Sequence, residues 1–211
     1  MKPLHLIVAI AAMCAVVATS NFLVQFPVQG AIGALNLADL LTWGAFTYPA
    51  AFLVTDLTNR RFGPAKARQV VFAGFVLAVI LSVVLATPRI AIASGTAFMV
   101  AQLLDVAVFD KLRQAAWWRA PLVSSMAGSA IDTVLFFSIA FAASFAMFGP
   151  NDEFATGNAP LLGLFAAEAP RWVSWALGDF AVKLVMALVM LAPYRALRAL
   201  VDRIGSRPAA A

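Results

Sequence analysis

The sequence has very few of the residues that build metal sites and imidazole-based catalytic sites. Its 211 residues include one cysteine, Cys14, and one histidine, His5. An intrachain disulfide is therefore excluded, as are a zinc site made of His and Cys and a Ser-His or Cys-His catalytic centre. No phosphate loop of the form G-x-x-x-x-G-K-[ST] occurs, so we do not expect the chain to hydrolyse ATP itself. No cofactor and no metal ion are expected.

Charged residues are also scarce. They make up 12% of the chain and apolar residues 63%, against about 25% and about 45–50% in soluble globular proteins. A globule of this size could not bury so much apolar surface, whereas one helix crosses a bilayer with about 20 residues. The composition therefore predicts an all-α, polytopic membrane protein with a single domain over residues 1–211. Six stretches are predicted transmembrane helices: 4–24, 39–57, 69–87, 90–109, 121–148 and 171–192.

Basic residues fall mainly on one side of these stretches. Short loops rich in Lys and Arg stay in the cytoplasm, so we predict that both termini are cytoplasmic. The net charge of +5 then reflects topology, and no nucleic-acid partner is expected. Twelve of the fifteen lysines and arginines lie on this side: Lys2, Arg60, Arg61, Lys66, Arg68, Lys111, Arg113, Arg119, Arg195, Arg198, Arg203 and Arg207.

Two linkers on the opposite side are unusual. Residues 25–38 carry no charge and contain Pro27 and Gly30. This segment is a candidate for re-entering the membrane, where irregular backbone is tolerated if protein or a cavity surrounds it. Residues 158–168 are predicted to form a short interfacial helix before the tryptophans of the last stretch.

Five charged side chains within the predicted spans are functional candidates, because an unpaired charge there costs about 2.5–3.5 kcal/mol. Asp179 and Lys183 are one helical turn apart on one face. We predict that Lys183 bridges Asp179, with Asp132 as a possible second partner. In this interpretation Asp179 and Lys183 are structural, and Asp132 is a free carboxylate that grips substrate N–H groups or carries a coupling proton. The other two charged candidates within the spans are Asp56 and Asp105.

The second stretch contains the aspartate nearest to a basic linker. Asp56 shares a helix face with Tyr48 and Phe52, and Pro49 predicts a kink because it cannot donate a hydrogen bond to the preceding turn. Asp56 is either a ligand for a substrate or the partner of Arg60 in an i,i+4 ion pair. The spacing alone leaves both interpretations open.

Polar residues also align on the later helices. Ser94, Gln102 and Asp105 share one side of the fourth stretch, and aromatic residues lie beside each polar line. Gly128, beside Asp132 in sequence, is predicted to serve close helix packing. An aromatic cavity with carboxylates and amides suits a flat heterocycle that stacks on the rings and presents paired N–H donors at its edge, as guanine does.

Several stretches resemble the queuosine precursor transporter family of the vitamin uptake transporter class. The similarity covers most of the chain from about residue 20 to 193, and the T-D-L-T-x-R-x-F-G and R-I-A-x-A-S runs are its most specific parts. The stretches are Ser20–Val28 (SNFLVQFPV), Leu41–Arg68 (LTWGAFTYPAAFLVTDLTNRRFGPAKAR), Arg89–Trp118 (RIAIASGTAFMVAQLLDVAVFDKLRQAAWW) and Pro121–Phe137 with its Asp132.

The resemblance implies six helices in the bacterial inner membrane and uptake of a 7-deazaguanine such as preQ0 or preQ1 for queuosine salvage into transfer RNA. This chain departs from the family's pattern at position 60, where it has Arg60 and many members have a glutamate. By matching motif positions, the resemblance implies substrate-binding roles for Asn21, Gln25, Trp43, Thr47, Asp56, Arg89, Ser94, Gln102, Asp105 and Asp132, and the shared face adds Tyr48 and Phe52.

Two alternatives stay open at this point. The chain could be the substrate-binding subunit of a larger energised transporter, or a homo-oligomer, because one sequence does not reveal its partners. It could instead be an intramembrane aspartyl protease, since Leu177-Gly178-Asp179 resembles part of a G-x-G-D motif and Asp105 or Asp132 would supply the second carboxylate. Position 176 is Ala rather than Gly and no Tyr-Asp pair occurs, so we prefer a transporter that is not an enzyme.

Overall fold

The fold is known from a computed structural model, which describes the backbone of residues 3–205 and the side chains of residues 4–199. Lys2 and Arg207 of the topology prediction lie outside the described residues, and so does the side chain of Arg203.

Helices dominate the described chain, and five of them are long and apolar enough to cross a membrane. The helices are α1 (Pro3–Leu23), α2 (Gly44–Thr47), α3 (Ala50–Phe62), α4 (Pro64–Leu85), α5 (Pro88–Leu112), α6 (Arg119–Phe141), α7 (Glu153–Thr156), α8 (Arg171–Val189) and α9 (Leu191–Gly205). Two short antiparallel pairs complete the fold, β1 (Ala31–Ile32) with β2 (Leu35–Asn36) and β3 (Asn158–Pro160) with β4 (Glu168–Pro170).

The second predicted stretch is broken, as Pro49 predicts. α2 ends at Thr47 and α3 begins at Ala50. α3 ends at Phe62, beyond the predicted end of this stretch at residue 57. α3 is not among the five apolar helices because it carries many polar residues. Those on its inner side, including Thr55, are buried against the neighbouring helices, so the helix needs the bundle around it.

Proline also sets where two later helices begin. Pro64 and Pro88 occupy the first turns of α4 and α5, where the missing N–H costs nothing. Both helices therefore start before the predicted residues 69 and 90. The side chain of Thr87 accepts a hydrogen bond from the Ile90 amide at 3.3 Å and caps α5.

The last two predicted stretches differ from the observed helices at their C-terminal ends. α6 ends at Phe141 instead of residue 148, because Ala142 is extended and residues 143–148 form 3₁₀ turns. The final stretch ends at Val189, and α9 continues after Met190.

Neither unusual linker is a regular helix. Residues 25–38 contain the β1–β2 hairpin, and Pro27 bridges to Thr42; that this segment re-enters the membrane stays a prediction. The interfacial helix predicted for residues 158–168 is wrong, because the segment forms the β3–β4 pair around a turn with positive φ at Leu162 and Gly163. Left-handed residues cannot continue a right-handed helix.

The helices form one packed bundle. Its main apolar core joins α1, α4 and α5 through Met13, Val17, Val70 and Phe98. The predicted packing role of Gly128 is confirmed, because a Cβ there would lie 2.6 Å from Cε1 of Phe52. α1 and α4 expose many large apolar side chains on their outer sides, as expected for surfaces that contact lipid.

The two ends of the bundle differ. One end, the hairpin face, consists of residues 24–43 and 142–170, which contain all four strands. The other end, the basic face, consists of residues 60–66, 111–119 and 190–205. His5 at the start of α1 stacks on Phe62 at 6.2 Å, which places the start of α1 at the basic face.

Candidate functional site

A large cavity lies among the helices and opens towards the hairpin face. Its volume is about 930 Å³, enough for a small molecule with its water. Residues 38–42, Ala159, Pro160 and Gly163 of the hairpin face line it, whereas no residue of the basic face does within the described part of the chain. The cavity is therefore accessible from one end of the bundle and closed at the other.

Lys183 occupies the deepest charged position of this cavity. Its Nζ lies 2.7 Å from Asp132 Oδ2 and 2.5 Å from Asp179 Oδ2. Thr133 donates to the same oxygen of Asp179 at 2.9 Å, and the Tyr48 hydroxyl donates to Asp132 Oδ1 at 3.0 Å. Two carboxylates thus share one ammonium group, which leaves one net negative charge.

The prediction that Lys183 bridges both aspartates is confirmed. The prediction of a free Asp132 carboxylate is wrong, whereas the functional and structural roles assigned to the two carboxylates stay predictions. Asp132 is not free, because one oxygen accepts from Tyr48 and the other from Lys183. Asp179 Oδ1, by contrast, has no hydrogen-bond partner among the described residues, and Asp179 lines the cavity. The carboxylate with spare accepting capacity is therefore Asp179.

Amides and aromatic rings form the remaining walls. The Asn21 amide nitrogen donates to the Val17 carbonyl at 2.9 Å, and the Gln25 amide nitrogen donates to the Asn21 carbonyl at 3.4 Å. Neither amide oxygen accepts a hydrogen bond from the described residues. Phe141 and Trp175 make an edge-to-face pair with centroids 5.5 Å apart. The cavity therefore offers hydrogen-bond acceptors beside aromatic surfaces.

Five of the twelve predicted substrate-binding residues line the cavity, together with Asp179 and Lys183. They are Asn21, Gln25, Tyr48, Ser94 and Asp132. The other seven do not line it: Trp43, Thr47, Phe52, Asp56, Arg89, Gln102 and Asp105.

Three of these seven belong to the packing around the α2–α3 break. Trp43 packs against Phe46 with centroids 5.7 Å apart. The Thr47 hydroxyl donates to the Gly44 carbonyl at 3.2 Å. Phe52 is 1% exposed and fills the space above Gly128.

Arg89 is buried and holds the end of α6 in place. Its guanidinium donates to the carbonyls of Ile139 at 2.8 Å and Ala142 at 2.6 Å, and to Asn151 Oδ1 at 3.0 Å. Longer bonds reach two further carbonyls, those of Gly149 and Pro150. These bonds account for the early end of α6, because the guanidinium satisfies carbonyls that a continuing helix would use.

A second polar cluster lies between the cavity and the basic face. Asp56 on α3 and Asp105 on α5 are buried and close enough to interact. Ser124 on α6 donates to Asp56 Oδ1 at 3.2 Å. Thr55 donates to Gln102 Oε1 at 2.6 Å in the same layer, so this cluster links three helices.

The ion pair between Asp56 and Arg60, one of the two interpretations that the spacing left open, is absent from the described residues. Arg60 instead donates through Nε to the Tyr194 hydroxyl at 3.1 Å and through Nη1 to the Arg113 carbonyl at 2.5 Å. Arg113 donates back to the carbonyls of Asn59 and Arg60 at 3.0 and 2.8 Å. This arginine–tyrosine cluster ties α3 to α9 and to the end of α5, and it closes the basic face.

Sequence reasoning missed some lining residues. Trp175 lies one turn before Asp179 on α8. This spacing was the sequence signal that could have identified Trp175 as a lining residue. Asp39 and Phe141 gave no such signal, because one lies in a loop and the other at a helix end.

Two overlapping parts of the chain, residues 42–87 and 81–197, match the family described as "Putative vitamin uptake transporter". The "Queuosine precursor transporter" of Escherichia coli (strain K12) is 35% identical over 84% of this chain and 79% of its own. The "Probable queuosine precursor transporter" of Haemophilus influenzae is 36% identical over the same shares, and that of Bacillus subtilis 25% identical over 72% and 69%. No solved structure matches the chain.

Proposed function

We propose that this chain, which belongs to the queuosine precursor transporter family of the vitamin uptake transporter class, carries a queuosine precursor into the cell through its central cavity. The observation that supports this most is the acceptor-rich, aromatic cavity in a chain that is 35% identical to a protein named "Queuosine precursor transporter". The proposed substrate is a 7-deazaguanine base such as preQ0 or preQ1.

The cavity fits such a base in three ways. Asp179 Oδ1 accepts the paired N–H groups of a guanine-like edge, because this oxygen has spare capacity and carries negative charge. The amide oxygens of Asn21 and Gln25 accept further donors. The rings of Phe141 and Trp175 offer surfaces on which the flat base stacks.

We propose six crossings of the bacterial inner membrane with both termini in the cytoplasm. Five are the long apolar helices, and α2 with α3 forms the sixth. The basic face is then cytoplasmic, and the cavity opens to the outside. The Arg60–Tyr194–Arg113 cluster closes the inner side, so the described conformation is the outward-facing state of an alternating-access cycle.

The geometry favours a carrier over an intramembrane protease. A protease dyad needs two carboxyl groups that share a proton beside the substrate. Asp179 and Asp132 are instead held together by an ammonium group. Asp105 and Asp56 both lie outside the cavity lining, so we propose that the chain is not an enzyme.

Rescue of queuosine salvage tests this function. Cells unable to make queuosine precursors should regain queuosine-modified transfer RNA from low external preQ0 or preQ1 only when they express this protein. Asp179→Asn should abolish the rescue, whereas Glu168→Gln, at an exposed glutamate of β4, should retain it. No rescue by well-expressed wild-type protein would refute the proposed function.

A further inference from the structure

We propose that Asp56 and Asp105 form a proton-binding site that couples substrate movement to proton flow. This inference rests on the proposed transport function and deepens it, because it names the energy source. It concerns a site separate from the substrate cavity, since neither residue lines that cavity.

The first observation is the isolation of the pair. Asp56 is 2% exposed and Asp105 is 0% exposed. Among the described residues neither carboxyl group has a Lys, Arg or His nitrogen within 4.0 Å. Within the described part of the chain, the side-chain hydrogen bond to the pair is the 3.2 Å bond from the Ser124 hydroxyl to Asp56 Oδ1.

The second observation is a set of buried polar atoms without partners around the pair. Within the part of the chain that the structure describes, both oxygens of Asp105 lack a hydrogen-bond partner, as do Gln102 Nε2 and Asn59 Oδ1. Gln102 precedes Asp105 by one turn of α5, and Asn59 follows Asp56 by one turn of α3. Asn59 also donates to the carbonyl of Val106, next to Asp105, at 3.0 Å. The site therefore holds an unused donor and an unused acceptor.

These facts fit a group that gains and loses a proton. Two adjacent carboxylates without a cation cannot both be ionised at this depth, because each repels the other and each loses its hydration. A proton on one carboxyl oxygen removes one charge and creates an O–H donor, for which Asn59 Oδ1 is an acceptor. When that proton leaves, Gln102 Nε2 is a donor for the ionised form.

Other ionisable groups lie at the ends of the helices that pack against the pair. Towards the basic face, Arg60 is bound through Nε to Tyr194 and through Nη1 to Arg113, and its buried Nη2 has no partner among the described residues. Towards the cavity, Lys183 is bound to Asp132 and Asp179. The other charged residues and the histidine on these helices, within residues 4–199, are His5 on α1, Arg61 on α3, Lys66 and Arg68 on α4, Arg89, Asp110 and Lys111 on α5, Arg119 on α6, Arg171 on α8, and Arg195 and Arg198 on α9.

The position of the pair gives the proton a route. In the outward-facing state, a proton from water in the cavity forms an O–H bond on one carboxyl oxygen of the pair. When the Arg60–Tyr194–Arg113 cluster opens, that bond breaks and the proton passes to cytoplasmic water. One proton enters and one leaves, and no other bond changes.

Purified protein in lipid vesicles tests the proposal with labelled preQ0 as the probe. With the lumen one pH unit more alkaline than the bath, wild-type protein should accumulate the probe up to about tenfold per coupled proton. The probe's entry should also acidify the lumen, followed with a pH-sensitive dye. Asp105→Asn and Asp56→Asn imitate a permanently protonated carboxyl, so they should exchange internal for external probe but lose accumulation and acidification. Glu168→Gln, at an exposed glutamate that belongs neither to the cavity lining nor to the pair, should retain all three.

The wild-type and variant measurements distinguish failure of the proton-coupling proposal from failure of the transport proposal. Wild-type exchange without accumulation or acidification under the proton gradient overturns the proposal, as does accumulation driven only by a sodium gradient. Normal accumulation by a folded Asp105→Asn protein also overturns it, and loss of exchange in that variant would place Asp105 in substrate binding instead. If wild-type protein does not even exchange the probe, the proposed transport function fails and this inference fails with it. If either variant does not fold, the accumulation and acidification measured with wild-type protein still test the proposal.

Discussion

Lys183 on α8 and Asp132 on α6 form a buried ion pair, with Nζ 2.7 Å from Oδ2, at the floor of the cavity. The pair joins two helices that pack side by side, and Asp179 adds a second carboxylate from α8 itself. One ammonium group faces two carboxylates, so the floor keeps an excess negative charge. This excess suits a ligand that presents N–H donors.

Loss of the ammonium group should destabilise the bundle. Lys183→Met leaves two buried carboxylates without a counter-charge, and we expect the free energy of unfolding to fall by about 3–5 kcal/mol. Thermal unfolding in detergent measures the change. Because Asp132 and Asp179 share the lysine, Asp179→Asn added to Lys183→Met should restore only part of the stability. Stability equal to wild type in Lys183→Met alone would contradict the structural role.

Arg89 should be needed for the conformation of residues 142–151. Five acceptors bind its guanidinium, and an ammonium group has only three N–H donors. Arg89→Lys should therefore cost about 2–4 kcal/mol through buried carbonyls left unpaired, and limited proteolysis should cut this segment faster. Arg68→Met, at an exposed arginine of α4, is the control. Equal rates of proteolysis in both variants would show that residues 142–151 keep their conformation without Arg89.

The sequence predicted the helices better than the site. Hydropathy located every long apolar helix, and Pro49 located the break, because both effects are local. The roles of Asp132 and Asp179 depend on which carboxyl oxygen remains unpaired, and that depends on Tyr48 and Thr133 from other positions in the bundle. The end of α6 depends on Arg89, fifty residues away from Ile139. Such long-range hydrogen bonds leave no periodic signal in the sequence.

The closure of the basic face should depend on Arg60 and not on its neighbour. Arg60 bonds to Tyr194 and Arg113, whereas Arg61 is exposed. Arg60→Met should lower the melting temperature and raise reagent access to a cysteine placed at Ser125 in a Cys14→Ala background. Arg61→Met should leave both near wild type. The same access in the two variants would argue against a closing role for Arg60.

Topology gives an independent prediction. Reporter fusions at Ala115, on the basic face, and at Asn158, on the hairpin face, should report opposite compartments, with Ala115 cytoplasmic. The same compartment for both would mean that the number of crossings is wrong by at least one.

Direct binding tests the central claim, that the cavity holds a queuosine precursor through Asp179. Purified wild-type protein should bind labelled preQ0 saturably at one site per chain. Asp179→Asn should bind it about 10- to 100-fold more weakly, since a charge-assisted hydrogen bond contributes about 1.5–3 kcal/mol, while Glu168→Gln, at an exposed glutamate outside the cavity lining, should bind it like wild type. The absence of saturable binding by folded wild-type protein, or equal affinity in Asp179→Asn, would contradict the account.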